Sequence, residues 1–142
     1  YVVPNVNGRF LLVQAFRCGE KWHLVDIVYR QTASMEEIKS SIKKHEASLY
    51  IVECSNVYFP MVRELRCSLP EVKVAKEYPD VDKRIAATSD FIKEYFLLSE
   101  KKLEDSDEYG SFLASLLDYN SENKEANITL SGLAYYIIKY CS

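Results

Sequence analysis

The chain has 142 residues, of which 48% are hydrophobic and 27% are charged, proportions that are ordinary for a globular protein. A chain this long buries about two-thirds of its unfolded surface, so we expect residues 1–142 to form one domain around its own core. The formal net charge of −3 excludes a general attraction for nucleic acid, and no apolar run reaches the ~18 residues that cross a bilayer.

The start of the chain and its cysteines bear on where the protein works. The sequence lacks an initiator methionine and begins at Tyr1 inside an apparent strand, which predicts a domain excised from a longer chain. No secretory signal peptide is visible, and the four cysteines form no C-x-x-C pair. We therefore expect a reducing, cytoplasmic compartment and no zinc site.

The first half of the chain has the pattern of strands interrupted by one helix. Runs rich in β-branched and aromatic residues on either side of a short segment with Gly19 are typical of a hairpin. Ser34 and Glu37 form a capping box, which marks the start of a helix. The predicted elements are strands at residues 1–4, 9–17 and 22–29, a helix at 35–45, and a strand at 48–53.

The second half of the chain is dominated by helical spacing of apolar residues. A charge-dense segment at residues 101–108 predicts a solvated loop, and residues 118–127 predict a polar interruption. The other predicted elements are helices at 57–69, 82–95, 109–117 and 128–141, and strands at 70–76 and 96–98. The whole order, a strand hairpin followed by alternating helices and strands, predicts an α/β fold with a mixed sheet.

Glu53 is the residue that most needs explanation. It ends an apolar strand, and open α/β sheets place their sites at the carboxyl ends of strands. It is either a solvated acid without a role or part of a functional site. Nucleophilic catalysis by the adjacent Cys54 with His23 or His45 has no supporting spacing, so Cys54 is expected to be a packing residue.

Six short sequence segments accompany this order of elements. One is an opening strand that ends in a proline, another places Glu53 three residues before an asparagine, and the last leads into the final helix. In order and spacing they resemble the nuclease domain of the large terminase subunit of tailed phages, a member of the RNase H-like superfamily. That resemblance implies an RNase H-like mixed central sheet flanked by helices, and DNA cleavage with two Mg²⁺ or Mn²⁺ ions held by carboxylates. The segments lie at residues 1–4, 19–26, 51–56, 81–85, 109–117 and 123–132.

The resemblance fails at the positions that would hold the metal ions. The family's first-strand aspartate falls on Val3, which offers no oxygen ligand. Its acids at the last helix fall on Lys124, Glu125 and Ile128, of which only Glu125 is an acid. Glu53 and Glu125 are therefore the candidate catalytic and metal-binding residues, and Asp26 or Asp82 would have to replace the lost acids.

Two functions follow as hypotheses. The first is a nuclease-like domain of a viral DNA-packaging terminase with weak or no two-metal nuclease activity, and with DNA and other packaging proteins as partners in the host cytoplasm. The alternative is an active endonuclease, dependent on Mg²⁺ or Mn²⁺, that cuts concatemeric viral DNA during packaging. No membrane partner is expected. Phosphate contacts could come from a basic strip, although the same residues also fit ordinary solvated surface: Lys73, Lys76, Lys83 and Arg84.

Overall fold

A computed structural model describes residues 1–76, 78–118 and 124–141 of the chain. The strands are β1 (Val2–Val6), β2 (Arg9–Cys18), β3 (Lys21–Gln31), β4 (Tyr50–Glu53), β5 (Val72–Ala75) and β6 (Phe96–Leu98). The helices are α1 (Met35–Lys44), α2 (Phe59–Ser68), α3 (Val81–Tyr95), α4 (Glu100–Asp105), α5 (Asp107–Leu117) and α6 (Glu125–Tyr140), and a 3-10 turn covers Asn56–Tyr58. The predicted α/β fold is confirmed.

The six strands form one mixed sheet in the order β5-β4-β1-β2-β3-β6. The first three strands are an antiparallel meander, while β4 runs parallel to β1, β5 parallel to β4, and β6 parallel to β3. The turn from β1 to β2 is made by Asn7 and Gly8, both with positive φ, the conformation that matches the twist of a two-residue hairpin. β5 and β6 are the outermost strands.

Helices cover both faces of this sheet. On one face, buried residues of α1 and α2 pack against side chains such as Val2 and Val52. On the other face, α5 and α6 pack against side chains such as Leu11 and Ile27. The predicted cap of α1 is confirmed, because the Ser34 hydroxyl accepts a hydrogen bond from the Glu37 amide at 3.3 Å.

Two predicted irregular segments are helical instead. Residues 100–105 form α4, because the Ser99 hydroxyl caps that helix by accepting from the Lys102 amide at 3.2 Å. Ser106 ends α4 and caps α5, so the predicted loop at 101–108 is wrong. Residues 125–127 belong to α6 and not to a polar interruption, while residues 119–123 of that prediction lie outside the described residues.

None of the helices in the described ranges is long and apolar enough to cross a membrane.

Candidate functional site

Glu53 lies at the carboxyl end of β4, as the sequence predicts, but its side chain is only 5% exposed. Val52 packs into the core on the α1 and α2 side, and strand alternation turns Glu53 to the opposite face, towards α6. The parallel pairing of Val2 with Val52 places Val3 beside Glu53. The interpretation of Glu53 as a solvated strand-end acid is therefore wrong.

Arg84 of α3 is the charge partner of this carboxylate. Its side chain is as deeply buried as that of Glu53, and its Nη1 donates to Glu53 Oε1 at 2.7 Å. Its Nη2 donates to the Ile128 carbonyl at 2.7 Å, and its Nε donates to Ser131 Oγ at 3.2 Å. A buried ion pair is tolerated only when further hydrogen bonds replace water, and α6 supplies these bonds to the guanidinium.

Two further residues close the site around the carboxylate. The Tyr1 hydroxyl donates to the same Oε1 of Glu53. Burial, and next the negative charge of Glu53, raise the pKa of the Tyr1 phenol, so that hydroxyl stays a donor. The ring of Tyr78 lies 5.6 Å from the Arg84 guanidinium and covers it.

Gly132 allows α6 to approach this cluster. A Cβ at that position would lie 2.5 Å from the Tyr1 hydroxyl oxygen and 2.8 Å from Glu53 Oε1, closer than real Cβ atoms come. Glycine is therefore required here for close packing, because the helix backbone touches the polar groups directly.

Glu125 is buried in the first turn of α6, and its Oε2 has no hydrogen-bond partner in the described part of the chain. Glu53 meets α6 at Gly132, seven residues later, which is about 10 Å along the helix axis. Side chains of a helix lean towards its N-terminus, so that of Glu125 is directed away from Gly132. About two helical turns therefore separate Glu125 from the point at which Glu53 contacts α6.

The two acids considered as substitutes have other partners. Asp26 lies on β3, with β1 and β2 between it and β4, and its carboxylate bonds His45 at 2.9 Å. Asp82 pairs at the surface with Lys124 at 2.9 Å. Neither acid joins Glu53, and Val3 and Ile128 contribute no side-chain oxygen.

The predicted basic strip loses one member. Arg84 is 3% exposed and bonded to Glu53, so it is not available for phosphate contacts. Lys76 and Lys83 are exposed, and Lys73 is half-exposed beside Glu71, 3.5 Å away. The hydrophobic pattern of α3 failed to identify Arg84 as a buried residue because that pattern assigns charged residues to the solvent side.

The donor set does not fit the pair of divalent cations that the resemblance implies. Such ions need several converging oxygen ligands. Oε1 of Glu53 already accepts from a guanidinium and a phenol, and no group of three or more acids, histidines or cysteines suited to a metal occurs among the described residues. The arrangement is chemically a fixed, internally neutralised ion pair.

Comparison of the chain with family models, with curated proteins and with solved structures found no match.

Proposed function

We propose that this chain is an RNase H-like, nuclease-like domain of a viral DNA-packaging terminase with weak or no two-metal nuclease activity. The observation that carries the proposal is the Arg84 guanidinium bonded to Glu53, where the resemblance calls for a divalent cation. A buried arginine supplies a permanent positive charge, whereas hydrolysis needs cations that bind water and the leaving oxygen. In this proposal the partners are DNA and other packaging proteins in the host cytoplasm.

The element order supports the RNase H-like part of the proposal. The resemblance rests on a strand hairpin, a helix, a strand that ends in glutamate, a helix, a strand, and then helices. β1 and β4 are adjacent and parallel, and their register puts Val3 and Glu53 side by side, as two metal-binding acids would have to be. The replacement of the first acid by Val3 removes a ligand without disturbing the strand.

One observation favours the alternative, an active endonuclease that cuts concatemeric viral DNA. The buried Oε2 of Glu125, without a partner among described residues, is an oxygen ligand suited to Mg²⁺ or Mn²⁺. For Glu53 to join it, Arg84 would have to leave its three acceptors. The bonding of Arg84 to Glu53 therefore favours a domain with weak or no two-metal nuclease activity.

Plasmid cleavage with Mn²⁺ separates the two functions. The wild-type chain is compared with Glu53→Gln, which keeps the size of the side chain, and with a reaction containing EDTA. We expect no cleavage above the EDTA control for either protein. Mn²⁺-dependent cleavage by the wild type that disappears in Glu53→Gln would show an active site and contradict the proposal.

Docking of DNA by the inactive domain is tested at the remaining exposed lysines. A Lys76→Gln, Lys83→Gln double variant should weaken binding and reduce the slope of log K against log salt by about 2, since each phosphate contact contributes about 0.9. Replacing Lys43 and Lys44, also exposed but on α1, is the matched control. Equal losses in both double variants would indicate nonspecific attraction and no docking surface.

A further inference from the structure

β3 extends well beyond its outer neighbour in the sheet. β6 pairs with residues 22–24 of β3, and in the described part of the chain no strand pairs with residues 25–31 on that side. α4, which follows β6, faces β3 at residues 23–25 across a cavity of about 460 Å³. An unpaired strand edge normally presents backbone donors and acceptors to which the strand of another chain can bond.

The amides of Ile27 and Tyr29 belong to this outer edge. Val13 on β2 donates through its amide to the Tyr1 carbonyl on the β1 side. Its partner in the register is Ile27, whose N–H and C=O therefore point away from β2. The same groups of Tyr29, two residues further along the strand, point in the same direction.

Carboxylates bind both of these outward amides. The Ile27 amide donates to Asp26 Oδ1 at 2.9 Å, and the Tyr29 amide donates to Glu108 Oε1 at 3.2 Å. Asp26 belongs to β3 itself, whereas Glu108 lies in the first turn of α5. Each carboxylate oxygen accepts the hydrogen bond that a carbonyl oxygen of a neighbouring strand would otherwise accept.

Cations hold the two carboxylates in place. Two nitrogens of Arg30 donate to Glu108 at 2.8 Å each, the bidentate geometry of a strong ion pair. Asp26 Oδ2 lies 2.9 Å from His45 Nε2, and Asp26 Oδ1 lies 3.4 Å from Lys102 Nζ. The carboxylates are therefore fixed parts of the strand edge.

This edge is self-complementary in sequence. Two antiparallel copies related by a twofold axis at Tyr29 would place Tyr29 opposite its own copy, and Ile27 opposite Gln31. These are the residues whose N–H and C=O point outwards. The same register places Val28 opposite Arg30, so no two like charges would face each other directly among residues 27–31.

We propose that Asp26 and Glu108 close the outer edge of β3 against pairing with a second copy of this chain. They do so by accepting hydrogen bonds from the amides of Ile27 and Tyr29 within the molecule. A pairing strand would have to displace both carboxylates before it could accept from these amides, so it would gain few net hydrogen bonds. This inference is independent of the proposed function.

Sedimentation velocity over a range of protein concentrations tests the proposal. We expect an Asp26→Ala, Glu108→Ala variant to self-associate about tenfold or more tightly than the wild type, because two ordinary hydrogen bonds become available to a partner strand. An Asp26→Asn, Glu108→Gln variant keeps an oxygen acceptor at each position and should associate no more than the wild type. A Glu36→Ala, Glu64→Ala variant, which removes two acids that pair with Lys39, is the control matched in charge.

Amide hydrogen exchange shows whether the association uses this edge. In the Asp26→Ala, Glu108→Ala variant, exchange at Ile27 and Tyr29 should slow as the protein concentration rises. Exchange at the Glu37 amide of α1, which is bound within its own helix cap, should stay constant and serves as the internal reference.

The single variant Glu108→Ala covers the case in which the double variant does not fold. It leaves the contact between Asp26 and His45 intact and should show the same concentration dependence at Tyr29. Alanine variants that fold and do not associate more than the wild type would overturn the proposal. Association that leaves exchange at the edge unchanged would also overturn it. Equal association of the Asp26→Asn, Glu108→Gln variant would overturn it too, since charge alone would then keep the copies apart.

Discussion

The buried pair of Glu53 and Arg84 is the residue-scale feature on which the stability of the site depends. Removing one member of a buried ion pair leaves an uncompensated charge, which costs about 3–5 kcal/mol. We therefore expect Arg84→Met to lower the free energy of unfolding by about that amount. In the double variant Glu53→Leu, Arg84→Met no charge remains, and most of the loss should be recovered. Urea denaturation of the three proteins measures both effects.

An ion pair at the surface is the control for this experiment. Lys124, directly before α6, pairs with Asp82 of α3, and the Asp82 side chain is well exposed to solvent. Lys124→Met should cost less than about 1 kcal/mol, since exposed pairs contribute little. A double variant at Glu53 and Arg84 that is no more stable than Arg84→Met alone would contradict the account of the buried pair.

Adding a methyl group at each of two helical glycines should change the stability of the protein in opposite directions. At Gly132 a Cβ meets Tyr1 and Glu53, so Gly132→Ala should destabilise the protein by about 1–3 kcal/mol through overpacking. At Gly110 in α5 no atom lies within 4 Å of the added Cβ, so Gly110→Ala should stabilise it by about 0.5–1 kcal/mol. Thermal unfolding measures both, and equal responses would mean that α6 does not approach Glu53 as closely as described.

At the scale of elements, Ser106 joins two helices. It ends α4, and its hydroxyl accepts from the Tyr109 amide at 3.2 Å to cap α5. Ser106→Ala should cost about 1 kcal/mol, because an N-cap hydrogen bond is lost. Ser111→Ala, at an exposed position within α5, should be neutral or slightly stabilising, since alanine is the better helix former. Chemical denaturation that ranks the two variants the other way would contradict the cap.

The elements were predictable from the sequence wherever the signal lies within the element itself. The hydroxyl of Ser34 and the apolar spacing of Ile38 and Ile42 specify α1 locally, and both features occur in the structure. α4 was missed because a six-residue helix has too few residues to show a period, and its charges look like those of a loop. Its signal was Ser99, a capping residue directly before the helix.

The site was predictable only in part, because its members are distant in sequence. The position of Glu53 at a strand end was correct, but Arg84 lies 31 residues later and no local pattern links them. Two signals point to it in retrospect. Arg84 and Thr88 lie one turn apart on the buried side of α3, and Gly132 interrupts an otherwise bulky apolar helix.

At the scale of the whole molecule, the proposed function predicts that divalent cations do not change the thermal stability of the protein. A ligand that binds the folded state raises its stability according to its concentration relative to Kd. Because Arg84 already neutralises Glu53, millimolar Mn²⁺ should change the Tm by no more than about 1 °C. A rise of several degrees that increases with Mn²⁺ and is absent from Glu53→Gln would contradict this expectation and favour the endonuclease.

The lengths of the six strands have a consequence for how the protein behaves at high concentration. The outermost strands β5 and β6 have four and three residues, and β6 pairs with only Trp22, His23 and Leu24 of the eleven-residue β3. An open margin is a template on which another chain can add a strand, and its length sets how many rungs can form. Lys73 adds an exposed charge to one margin. The outermost strands therefore offer few rungs to another copy, and the longer stretch without a strand partner on the β6 side is residues 25–31 of β3.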